Sequence, residues 1–236
     1  MSKSNNTERE QRILDVAAEL LVHYGYDKTT VSDIAQAAGI SKGAIYLHYN
    51  SKEALLESLL GREMKQYAFR WMAMIEADPQ GGTLGGMYKN MLYALSDSTF
   101  LAAMFKRDER VLGSYLRQPN NFFQNPGRIQ ANRYEFVKMM QEAGAVREDI
   151  DAKVVAYIMN LLLYGLVAMG DIMPKEDILP LDTVIEGIAE IMDRALTPTT
   201  GDYSEAGKQV LQQIVAVRLQ RHEAEENTAA GETKND

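Results

Sequence analysis

Thr29-Thr30-Val31-Ser32-Asp33-Ile34-Ala35-Gln36-Ala37-Ala38-Gly39-Ile40-Ser41-Lys42-Gly43-Ala44-Ile45-Tyr46-Leu47-His48-Tyr49-Asn50-Ser51-Lys52-Glu53-Ala54-Leu55-Leu56 is the stretch whose reading decides the fold. Thr30 and Asp33 stand three apart, an N-cap with an acidic partner in the first turn of a helix. Ile34 and small Ala35 face inward, and Gly39 supplies the positive φ that ends this helix. Ile40 plugs the turn, Ser41 caps a second helix, and Ile45 buries against the first. Asn50 or Ser51 then caps a third helix, with Glu53 in its first turn. Two short helices joined by a tight turn, with Ala35, Gly39 and Ile45 as the packing skeleton, make a helix-turn-helix, the shape that places its second helix in the major groove of DNA.

The second helix, roughly Ser41 to His48, is too short and polar to be a core element. Gly43 near its start costs up to about 1 kcal/mol against alanine, a cost that makes sense where backbone must approach DNA. Lys42 can reach a guanine edge or a phosphate, and the Tyr46 hydroxyl can donate to a phosphate. Lys52 sits at the next helix N-terminus, where amide groups and the helix dipole favour an anion. The candidate DNA-binding residues are Thr29, Thr30, Ser41, Lys42, Gly43, Ala44, Tyr46, His48, Tyr49 and Lys52. Ile34, Ala35, Ile40 and Ile45 are core in any three-helix subdomain; it is the polar cluster along one edge that core packing leaves unexplained. His48 reads equally as a phosphate contact or as packing beside Tyr49.

In these residues the chain resembles the TetR family of one-component transcriptional regulators, above all in Gly39–Leu56. Ile13-Leu-Asp-Val-Ala-Ala-Glu-Leu-Leu-Val-His-Tyr-Gly-Tyr26 looks like the family's first helix with its Gly-aromatic ending. The resemblance covers about the first quarter of the chain. It implies a ligand-binding body behind the head and a homodimer in which the last two helices of the core body pair with their symmetry mates.

Composition agrees with a cytoplasmic regulator. The chain has 236 residues, 46% of them hydrophobic, which allows a real core. With no cysteine and three scattered histidines (His23, His48, His222), neither a disulfide framework, a metal site nor a His-based catalytic triad is expected, and no cofactor either. Met1–Thr7 is polar, unlike a signal peptide. The net charge of −8 fits a specific basic docking patch on an acidic body better than a non-specific nucleic-acid coat. The longest apolar run, Val154–Gly170, is seventeen residues long with Asn160 inside it. That is the short limit for a membrane span, and a helix buried on two fronts reads the same way; we take it, with Val184–Leu196, as the dimer interface, Gly165 and Gly187 allowing close approach.

The expected class is all-α: an N-terminal three-helix head with the helix-turn-helix (1–50), a helical ligand-binding and dimerisation body (51–226) and a disordered tail (227–236). Apolar spacing predicts helices at about 8–24, 31–38, 42–48, 52–77, 83–95, 99–112, 129–143, 149–171, 181–196 and 203–225. Pro79–Gly86 reads as a flexible break and 117–128 as a poorly regular loop. The helix at 203–225 is extra to the family's usual length; it extends the interface or covers the pocket. The body is rich in methionine and aromatic residues, which suit adaptable pocket walls. The candidate ligand-binding residues are Trp71, Met104, Phe105, Tyr115, Tyr134, Asn160 and Tyr164, and the expected partners are an operator duplex, an apolar or aromatic effector and a second copy of the chain, with no membrane. A chromosome-organising DNA-binding factor without an effector is the alternative. An enzyme with an accessory DNA-binding head lacks any nucleophile, base or metal constellation.

Overall fold

In the computed structural model, residues 3–124 and 133–216 are described, with side-chain surroundings from residue 6 onward except at positions 167 and 171. All regular structure among them is helical. The helices are α1 (Lys3–Tyr24), α2 (Val31–Ala37), α3 (Lys42–Tyr46), α4 (Lys52–Ala77), α5 (Leu84–Ser96), α6 (Thr99–Lys106), α7 (Glu109–Leu112), α8 (Arg133–Glu142), α9 (Ala152–Ile172) and α10 (Leu181–Leu196), followed by helical residues 203–216, α11. The expected 129–132 helix start, the end of the last helix and the 227–236 tail lie outside the described residues.

The chain divides into two compact units. The first takes its described residues from Met1–Trp71, Leu92–Ala131 and Asn160–Ile178, the second from Met72–Met91, Asn132–Met159 and Leu179–Asp236. The core of the first holds Ile13, Leu14, Ala17 and Leu21 of α1, Ile34 and Ile45 of the helix-turn-helix, and Leu55, Leu56, Leu59 and Leu60 of α4, all buried. The i, i+3, i+4 spacing of these residues is what makes each helix amphipathic.

The corner after α1 is tied to the segment 110–122 within this unit. Gly25 takes φ +81°, and a Cβ there would run into the Arg110 carbonyl oxygen. The Tyr26 amide donates to the Val111 carbonyl (2.8 Å), and the Ser114 amide and hydroxyl donate to the Asp27 carboxylate. The Tyr26 hydroxyl donates to Glu53 Oε1 (2.6 Å), joined by Gln118 Nε2 at 3.3 Å. These donors, the tyrosine first, hold the Glu53 carboxyl down at about 2. One turn further along α4, Glu57 accepts from the Tyr115 hydroxyl and from the Phe122 amide (3.0 Å).

Two expectations need correction and one needs refinement. The predicted 99–112 helix is broken: Arg107 adopts the left-handed conformation (φ 52°) and the Asp108 carboxylate caps α7 by accepting the Arg110 amide at 2.9 Å. The expected 117–128 loop carries short 3₁₀ turns, one ending at Arg117 and one at Phe122–Gln124, while 125–128 lie outside the described residues. Pro79–Gly86 is no flexible break. In the second unit Gly81 to Gly86 are packed closely, the Gly82 amide donates to Ser204 Oγ (3.0 Å) and the Gly85 amide to Asp193 Oδ1 (3.0 Å). The glycines there serve close approach, because a Cβ on Gly82 would meet the Ser204 carbonyl. The same unit carries the Lys89–Asp78 ion pair (2.8 Å) and the Tyr88 hydroxyl bond to the Met159 carbonyl (2.8 Å).

Helix α9 carries two apolar stripes. Ala152, Val155, Ala156, Met159 and Leu163 are buried. Val154, Tyr157, Ile158, Leu161 and Tyr164 are exposed, Leu161 by 54% and Tyr164 by 60%. On α10, Ile185, Ala189 and Met192 are buried, while Leu181 and Ile191 stand exposed.

Two glycines separate backbone strain from collision. Gly39 has φ +66°, and a Cβ added there would meet nothing within 4 Å; Gly39→Ala should cost only the left-handed penalty of about 1–2 kcal/mol. Gly25→Ala adds the Arg110 carbonyl clash to the same penalty and should lower the denaturation midpoint clearly further. Equal midpoints for the two variants would contradict this account of the corner.

Candidate nucleic-acid interface

The helix-turn-helix is built by its caps. Thr30 Oγ1 accepts the Asp33 amide (3.2 Å) while the Asp33 carboxylate accepts the Thr30 amide (2.8 Å), the reciprocal box that starts α2. Those bonds hold the Asp33 carboxyl below its usual range. Helix α2 ends with the Gly39 amide donating to Gln36 O (3.1 Å) and the Ile40 amide to Ala35 O (3.0 Å), the paired bonds of a Schellman ending. Ser41 Oγ accepts the Ala44 amide (3.1 Å) and starts α3. Ser51, rather than Asn50, caps α4 by accepting the Ala54 amide (3.1 Å).

With Ile45 buried, the rest of α3 faces out. Ser41, Lys42, Gly43 and Tyr46 are exposed, and Ala44 and His48 are half-buried. Lys42 Nζ lies 5.9 Å from the Tyr46 ring centre, so a cation and a phenol share one edge. His48 lies beside Tyr49, ring centres 6.1 Å apart. Other candidates turn inward. Thr29 is buried and its hydroxyl donates to the Gly25 carbonyl (2.8 Å). Tyr49 is buried and its hydroxyl reaches Glu10 Oε1 at 3.4 Å. Lys52 donates to the Tyr26 carbonyl and its Nζ sits 3.8 Å from the Tyr26 ring centre; partial burial pulls its pKa down. Thr29 and Tyr49 therefore position the helices, and Thr30 spends its hydroxyl on the cap. Leu47, outside the candidate set, is exposed by 86%. The sequence carries a signal for it: two residues beyond buried Ile45, it lies on the opposite side of a 3.6-residue turn.

The ligand candidates are divided. Tyr67 stacks on Trp71 (centroids 6.3 Å, interplanar angle 15°) and meets Phe105 edge-on at 5.6 Å, with Met104 buried in the same unit. Tyr115 is fully buried and its hydroxyl is used by Glu57, so it is core. Tyr134 is in the second unit, with Lys153 Nζ 5.5 Å from its ring centre. Asn160 is half-buried, and Tyr164 lies on the outward stripe of α9. A groove of about 750 Å³ in the first unit runs between the end of α1 and α6–α7, lined among others by His23, Tyr24, Lys28, Lys106 and Arg110, and none of the seven candidates lines it. Among the described residues no group of His, Cys, Asp and Glu could hold a metal ion.

Known proteins share both the motif and the fold. The family of bacterial regulatory proteins named tetR matches residues 13–59. The HTH-type transcriptional repressor Rv1474c of Mycobacterium tuberculosis is 29% identical over 172 residues, 71% of this chain and 85% of that one. The fatty acid degradation regulator FadR of Bacillus halodurans has the same fold (TM-score 0.59, 19% identity, 78% of this chain and 94% of that one). So does FadR of Bacillus subtilis, solved with stearoyl-CoA (TM-score 0.58, 21% identity, 77% and 96%). With the capped helix-turn-helix in place, residues 13–59 carry the DNA-binding head of the tetR family of bacterial regulatory proteins, and the described residues share the all-helical fold of these solved regulators.

Proposed function

We propose that this regulator is a homodimeric repressor that holds a pseudo-palindromic operator and lets it go when a small apolar or aromatic molecule binds its body. The observation that carries the reading is α3. Its inner side is fixed by buried Ile45, and its outer side offers Lys42, Gly43 and Tyr46 to a partner. The repressor sense draws support from Rv1474c, and the small-molecule sense from the FadR neighbour crystallised with stearoyl-CoA. The Tyr67–Trp71–Phe105 cluster is the strongest candidate for a pocket wall.

The outward stripe of α9 supports the dimer. Ala152–Gly170 is long and apolar enough to cross a membrane, by length and composition. Part of its apolar surface, however, is already buried as a regular core stripe, and the rest includes a second stripe with helical spacing. Burying that stripe against its own symmetry mate satisfies both. A dimer also places two recognition helices about 34–36 Å apart, one turn of DNA or a multiple of it. Signalling then needs only a ligand that prefers the head spacing unable to span both half-sites.

Lys42→Ala and Tyr46→Phe should weaken binding to the chain's own promoter region while leaving thermal stability unchanged, each losing roughly 1–3 kcal/mol if a base-edge contact goes and less if the contact is to phosphate. Wild-type affinity for both in a titration at fixed salt would sink the interface. Leu161→Glu should give a folded monomer by sedimentation, with operator affinity reduced at least tenfold; a wild-type chain that is itself monomeric at micromolar concentration would rule the dimer out. A panel of apolar and aromatic compounds should contain members that raise the melting temperature, shift Trp71 emission and release the operator. If no member changes any of the three, the effector-free organiser is the better description.

A further inference from the structure

Leu47 is the most exposed large hydrophobic side chain among the described residues, at 86%. Its place at the end of α3 is specific. At about 100° per residue, positions 43 and 47 lie within about 20° of the direction opposite Ile45. Ile45 is buried, so Gly43 and Leu47 form the line along which α3 points away from the protein. At Gly43 an added side-chain carbon would meet only Ser41 Oγ, at 3.9 Å, so the backbone there is bare. One turn on, Leu47 projects from the end of the helix, its amide fixed on the Gly43 carbonyl at 3.2 Å. Polar Lys42 and half-exposed Tyr46 flank it, so it is a single apolar point in a polar edge rather than a patch for a protein partner.

The floor of the major groove has one apolar group, the C5-methyl of thymine; cytosine, adenine and guanine offer only donors and acceptors there. We propose that Leu47 packs on the methyl group of a thymine in each operator half-site and that this contact is a determinant of sequence specificity. The bare backbone at Gly43 lets the start of α3 come close to the groove, and Leu47, one turn further, is the side chain that the approach carries onto a base. The proposal depends on α3 entering the major groove.

The test uses the full-length chain. Duplexes enriched by the wild-type protein from a random pool are resynthesised with each thymine replaced singly by uracil, which removes the methyl and keeps the pairing. One position per half-site should bind wild type about fourfold more weakly as uracil (~0.8 kcal/mol, the value of one buried methyl-sized group). Leu47→Ala and Leu47→Ser should bind the thymine and uracil duplexes equally, and selection with either variant should return a relaxed preference at that position alone. Enrichment of a defined sequence with indifference to every uracil, or a thymine preference kept by both variants, overturns the Leu47 contact and leaves the groove reading standing. Failure of the wild-type chain to enrich any sequence overturns both.

Discussion

Tyr26 is gripped from three directions, and the position of the DNA-facing helices follows from it. Its amide is held by Val111 O, its hydroxyl by Glu53, and its carbonyl by Lys52. One residue thus joins the end of α1, the start of α4 and the segment after α6. The recognition helix hangs between α2 and α4, so whatever fixes the start of α4 fixes the angle at which α3 is presented. Glu53 works here as an ion: the hydroxyl and amide donors hold it charged far into acid, and a charged acceptor bond is stronger than a neutral one. The bare α-carbon of Gly25 allows the approach that makes the first of these bonds possible.

This arrangement also gives the ligand proposal a route that needs no long chain of side chains. The segment carrying Tyr115, Gln118 and Phe122 is bonded directly to Glu53 and Glu57 on α4. Under that proposal, movement of the segment would change which donors those carboxylates have, and with them the orientation of the head. Two discrete arrangements of a few hydrogen bonds are enough for a switch, provided the effector favours one of them.

Helix boundaries are legible in the sequence where capping chemistry and apolar period coincide. Thr30–Asp33, Gly39 and Ser41 sit where local hydrogen bonding alone dictates the backbone, and Lys52–Ala77 and Leu181–Leu196 follow from long regular stripes. The break at Arg107 is illegible because it uses a left-handed non-glycine residue stabilised by its neighbours. Gly81–Gly86 misleads because a glycine that frees the chain and one that lets another backbone come close look the same in one dimension. The inward turn of Thr29 and Tyr49 is hidden for a related reason: hydroxyl-bearing residues serve a core hydrogen bond as readily as a phosphate. Leu47 is easily passed over because an apolar residue in a short helix is assigned to the core by default, although its angle to Ile45 excludes that.

The doubled stripe on α9 has an evolutionary side. In an isologous interface each residue near the two-fold axis meets its own copy or a neighbour of it, so one codon change alters the contact twice. If the outer stripe is the dimer seam proposed above, a charge gained at position 161 would be placed opposite an identical charge, whereas a change of shape there would be matched only by a partner that has made the same change. Related regulators present in one cell can therefore diverge into non-mixing dimers by few substitutions on this stripe, while the inner stripe, bound to the core, stays fixed.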